Sequence, residues 1–148
     1  MANIDRPCGF RAVVNLGGGA IPMYPAKVKI GTSLRPGDAI IKLSGGTVDI
    51  ALAASTKIYG VCQSEVVGSA ALEDCDYVPA FPNILFEGQT SGTYTPVNEG
   101  ETCDIEGTTG IMEIDENAQV TNVVRLFKLA DEIGNAAGAN ARVLFTFV

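Results

Sequence analysis

A chain of 148 residues with 17 acidic side chains, 10 basic ones and no histidine is the size of one domain and is narrowed in function before any motif is read. The net charge of −7, with Lys and Arg never three in a row, argues against nucleic acid and anionic membranes, which need clustered positive charge. Without histidine the commonest general base is missing, and with it the Ser-His-Asp and Cys-His nucleophile systems.

Charged residues make up only 18% of the chain, against about 25% in ordinary soluble domains. Two surfaces fit that figure: one hidden in an oligomer or a larger assembly, or one rich in Ser, Thr, Asn and Gly. The opening "MANIDRPCGF" lacks the basic then apolar pattern of a secretory signal, and no apolar run reaches the ~18 residues of a membrane span. The expectation is a soluble chain made in the cytosol. Cys8, Cys62, Cys75 and Cys103 contain no C-x-x-C pair, so they read as reduced, mostly buried thiols.

In chain order the texture is β. "FRAVVNL" alternates loosely, and "GGGAIPMYP" then breaks regular structure with three glycines and two prolines. In "AKVKI", Val28 and Ile30 share one face and Lys27 and Lys29 the other. "LRPGD" is a turn: Pro36 pre-sets it, Gly37 is permissive, and Asp38 hydrogen-bonds nearby backbone. It opens into "AIIKL", with Ala39, Ile41 and Leu43 on one face and Ile40 and Lys42 on the other. After "SGG", "TVDIALA" places Val48, Ile50 and Leu52 together, and "KIYGVCQ" is a further strand.

Residues 64–83 read as irregular, with one or two helical turns in "SAALED" capped by Ser69. "NILFEGQ" resumes as a strand, and "TCDIEG" and "GIMEI" form a hairpin around "GTTG". "VVRLFKL" and "RVLFTFV" make a second hairpin across the long connection "ADEIGNAAGANA". The whole predicts a single all-β domain over residues 1–148, a small barrel or sandwich with at most one or two short helices.

Chemistry finds little to hold. The acidic groups "EDCD", "EGETCD" and "EIDE" lie among turn residues and read as solvated loops; none has calcium-loop spacing, so a calcium site would need separate loops. The glycines of "NLGGGAIPM" are not followed by G-K-[ST], which argues against a phosphate loop. Lys42 falls within a strand rather than at the tip of a turn, which argues against a biotinyl or lipoyl carrier. No catalytic residue, metal or cofactor is expected.

The order of the segments points further. "RPCGFRAVVNLGGG", "GDAIIKLSGGTVDIA", "IYGVCQ" and "PNILFEGQTSG" together resemble the capsid decoration (cement) proteins of tailed phages, over roughly residues 6–95. The resemblance implies a β-tulip-like homotrimer on the outer surface of the virion, assembled in the host cytoplasm. There it would clamp its partner, the major capsid protein, against the pressure of packaged DNA. Competing readings are a phage head or tail ring protein (tail tube or head completion), a carbohydrate- or receptor-binding β module, and, least favoured, an enzyme.

The residues that read as partner-binding are Ile4, on an N-terminal arm of residues 1–9, and Ile21, Pro22, Met23 and Tyr24. All five belong to segments expected to add little to the core while carrying apolar groups that are costly to leave in water.

Overall fold

The computed structural model describes residues 2–148. The strands are β1 (Arg11–Asn15), β2 (Tyr24–Val28), β3 (Ala39–Lys42), β4 (Val48–Ile50), β5 (Gly60–Cys62), β6 (Glu73–Pro79), β7 (Ile84–Gln89), β8 (Thr93–Tyr94), β9 (Thr102–Glu106), β10 (Glu113–Asp115), β11 (Val124–Leu129), β12 (Gly138–Ala139) and β13 (Arg142–Phe147). Among the described residues the one helical element is a 3-10 turn at Pro96–Asn98. The all-β expectation holds.

The strands divide into a closed barrel, β2-β4-β3-β5-β6, and a six-stranded sheet, β1-β7-β13-β11-β9-β10, with β8 and β12 paired beside them. The main core fills the space between the outside of the barrel and one face of the sheet. Ala39, Val61 and Val78 enter it from the barrel, while Phe86, Leu126, Phe145 and Phe147 enter it from the sheet. Phe10, Phe86, Phe145 and Phe147 pack largely edge to face, with the Phe86 and Phe147 rings 5.0 Å apart at 70°. That geometry aims the positive ring edge at a negative face.

A second, smaller core lies inside the barrel and contains Val28, Leu34, Ile40, Val48, Cys62, Cys75 and Tyr77. Strand alternation connects the two cores. Along β3, Ala39 and Ile41 face the main core and Ile40 faces the barrel interior. Being covered on both sides explains why "AIIKL" is almost continuously apolar. Lys42 is exposed, with its ammonium 5.2 Å from the centre of the Tyr59 ring.

Both predicted hairpins form: Ile105 stands opposite Ile114, and Leu126 stands opposite Phe145. Three local expectations are corrected. "SAALED" makes no helical turn; the Ser69 hydroxyl instead accepts from the Ala71 amide at 3.2 Å in a tight bend. The chain then enters β6, which pairs with β2 from Tyr24↔Tyr77 to Val28↔Glu73. Ile30 and Leu52 lie beyond the ends of β2 and β4 and are exposed rather than facing the core. Tyr24 and Pro25, expected in a broken segment, begin β2. Pro25 stands opposite Asp76 in a stretch of β2 paired on one side only, where a missing N–H costs little.

Candidate functional site

The five residues expected to bind a partner belong to two different elements. Ile4 is 78% exposed on a segment that is nonetheless anchored at both ends. The Asn3 amide nitrogen donates to the carbonyls of Ala136 and Ala139, at 2.8 Å each. The Gln89 side chain accepts from the Arg6 amide and donates to Asp5, both at 3.0 Å. Ile4 lines a cleft with Ile133 and Asn135, and Ile133, within "ADEIGNAAGANA", is fully exposed.

The remaining four lead into the barrel. Met23 and Tyr24 are exposed, at 56% and 48%, and Pro22 is half-buried. Ile21 packs against the main core, and the Tyr24 ring lies 6.3 Å from that of Tyr77. Half of this short segment is therefore structural. Changing Ile21 to Ser should cost about 1–2 kcal/mol in a urea or thermal unfolding series, whereas Met23→Ser should stay within about 0.5 kcal/mol. Equal effects would show that Ile21 does not contribute to the core.

One buried ion-pair group lies under the N-terminal segment, on the face of the sheet away from the main core. Glu87 is 3% exposed; it accepts from Arg142 Nε at 2.8 Å and from Arg11 Nη2 at 2.7 Å. Glu132 closes the group at 3.6 Å from Arg142 and 3.4 Å from Arg11. Burial by itself would raise the Glu87 carboxyl, but the two guanidinium hydrogen bonds outweigh it and hold the group below the usual carboxylate range. A cleft of about 470 Å³ opens here, lined by Cys8, Phe10, Gly37, Gln63 and Arg142 among others. Only strand register brings Arg11, Glu87 and Arg142 together, so the sequence carried no local signal for this group.

Other carboxylates are tied to backbone. Asp104 accepts from the amides of Val120, Thr121 and Asn122 at 2.8–3.1 Å. Those bonds overcome its burial and lower its pKa. Glu116 accepts from the Gly92 amide at 3.2 Å, and burial raises its pKa. Asp104 and Glu116 are 6% and 4% exposed, so these members of the acidic groups are buried clips rather than the solvated loop residues expected. Among the described residues no group of three or more Cys, Asp or Glu stands close enough to hold a metal ion.

What remains available to a partner is apolar surface. Ile4, Val97, Val120 and Ile133 are each more than three-quarters exposed, and Val13, Val14, Leu16, Phe81 and Phe127 are about half exposed. β1 is an end strand of the sheet, while at the other end Ile114 of β10 bridges to Thr90 and its carbonyl accepts from the Ser91 amide at 2.9 Å. No protein-family model, no curated protein and no solved structure matches the chain.

Proposed function

We propose that the chain is a structural virion protein that binds the outside of a tailed-phage head and cements the major capsid protein lattice, acting as a homotrimer. The observation that carries this reading is the amount of large apolar side chain left in water on a sparsely charged protein, Ile4, Val97, Val120 and Ile133 above all. Exposed groups of this kind on a folded domain mark contact surfaces. The family-like order of the N-terminal segments supports the same reading. So does the acidic charge, which suits the face of a head turned away from DNA.

Undecorated heads mixed with the purified protein should bind it saturably, at a fixed copy number relative to the major capsid protein. Light scattering of the free protein should give three times 15.4 kDa. Folded protein that fails to bind such heads would defeat the proposal, and a stable monomer at high concentration would defeat its trimeric part. The end strand β1 also suits side-to-side pairing with a neighbour in a ring. Electron micrographs of the free protein separate the two, since a ring reading requires annular particles of higher copy number.

A further inference from the structure

Strand pairing slips by one residue at two places in the sheet. In β1 the partners pass from Ala12↔Phe86 to Val14↔Leu85, leaving Val13 extra. In β11 they pass from Leu126↔Phe145 to Lys128↔Leu144, leaving Phe127 extra. A bulge of this kind sets two consecutive residues against one on the partner and re-aims the extra side chain. Unbroken alternation would turn one of each consecutive pair to the core; here all four stay in water. Val13 and Val14 are each 42% exposed, and Phe127, beside exposed Lys128, is 52% exposed.

The strand partners show which face gains. Leu85 and Leu144 lie away from the main core, in a small cluster with Ala130. The bulges therefore flank that outer cluster with Val14 on one side and Phe127 on the other. Positive charge collects on the same face. Arg11 and Arg142 are held by Glu87 and Glu132. Arg125 stands opposite Thr146 on this face, and among the described residues neither it nor Lys128 makes an ion pair.

A patch of opposite character lies on the barrel. β6 turns Cys75 and Tyr77 inward and leaves Asp74 and Asp76 exposed. The Asp76 amide donates to Ser64 Oγ at 3.0 Å, which places neighbouring Glu65 in the same patch. Val67 and Leu72, in the same connection from β5, are 70% and 52% exposed. Lys27 pairs with Asp74 at 2.8 Å, but among the described residues Glu65 and Asp76 have no basic partner. Each patch joins apolar side chains to unpaired charge, and the charges are opposite. One chain cannot bring them together, because the sheet's outer face looks away from the barrel and the main core lies between.

We propose that copies of this chain associate head to tail, the outer sheet face of one, around Phe127 and Lys128, seating the Glu65–Asp76 side of the next copy's barrel. The inference rests on the homotrimer reading and supplies its interface. Because the two patches differ, the contact is heterologous and closes a ring of three instead of pairing two copies through one shared patch.

Sedimentation of the parent over a range of concentrations gives the dissociation constant of the trimer. Arg125→Glu with Lys128→Glu should raise it by about tenfold or more, and so should Glu65→Lys with Asp76→Lys. All four changes in one chain exchange the charges and should recover most of the loss. Phe127→Ser should weaken association as well, and salt should diminish the charge effects but not this one. In the parent, a carbodiimide that joins amines to carboxylates without a spacer should link Lys128 to Glu65 or Asp76. Mixing isotopically light and heavy protein should show the linked peptides to come from different chains.

A parent that stays monomeric at high concentration would overturn the trimer and this interface together. A trimeric parent that neither charge reversal weakens, or that all four changes leave as weak as two, would overturn the interface alone. Should a variant fail to fold, the parent's cross-link decides: a trimer in which Lys128 is linked to neither carboxylate overturns the interface.

Discussion

Replacing Gly37 with alanine should destabilise the protein by roughly 2–5 kcal/mol, from backbone strain together with a steric overlap that no side chain can relieve. Gly37 has φ +97°, and a Cβ there would stand 2.8 Å from the Cys8 carbonyl oxygen and 3.2 Å from Gly9 Cα. Gly9 is its counterpart, with φ +79° and a would-be Cβ 2.5 Å from the Gly37 oxygen. Two backbones cross here in contact. The crossing carries hydrogen bonds from the Phe10 amide to the Gly37 carbonyl and from the Gly37 amide to the Cys62 carbonyl, both at 2.8 Å. It thus ties the N-terminal segment to the turn before β3 and to β5, and it delivers Phe10 to the aromatic core.

A total stability of about 5–15 kcal/mol is usual for a domain, so Gly9→Ala or Gly37→Ala should move the urea midpoint visibly. Gly45→Ala, with open space where its Cβ would be, should leave the midpoint nearly unchanged. If all three variants unfold together with the parent, the backbone crossing is not a constraint.

The same turn shows what one sequence can and cannot disclose. Asp38 was legible as a residue that bonds its neighbours' backbone, and it does accept from the Arg35 amide at 2.8 Å. Its second bond, from the Gly110 amide at 2.7 Å, joins segments far apart in the chain and leaves no local trace. Gly37 was likewise legible as permissive, but not as the point where Cys8 and Gly9 pass. The two hairpins were legible because alternation and chain order specify them. β6 was not, because Glu73, Asp74 and Asp76 give an acidic strand the composition of a loop, and only its inward Cys75 and Tyr77 reveal the period of two.

The docking residues show the same division. Apolar character picked out Ile4 and Met23, which are exposed, and Ile21, which is not, because exposure is decided by a core assembled from the whole chain. "FEGQ" alternates Phe86 with Glu87, and that pattern says nothing about the N-terminal segment passing over the second face.

Glu87 supplies the other large effect. Glu87→Gln keeps the shape of the side chain but removes the negative charge that faces Arg142 and Arg11. It should cost about 2–3 kcal/mol at neutral pH, less than for a fully enclosed pair because the Arg11 side chain is 66% exposed. The loss should follow pH in one direction. The folded carboxyl titrates below its ordinary range, so its contribution is complete above the unfolded pKa of about 4.3–4.5 and disappears as pH falls through the lower folded value. Glu113 and Glu116 oppose this trend: burial, first of all, raises both, so each favours the folded state as pH falls. The acid sensitivity of the parent protein is therefore a sum of opposed contributions, and the difference between parent and Glu87→Gln isolates one of them. Measured by urea unfolding from pH 7 to pH 3, that difference should narrow steadily below about pH 4.5. It should also respond only weakly to salt, because a buried carboxylate is poorly screened. A difference that stays constant down to pH 3 would mean that Glu87 stabilises the sheet by its shape and hydrogen bonds rather than by its charge.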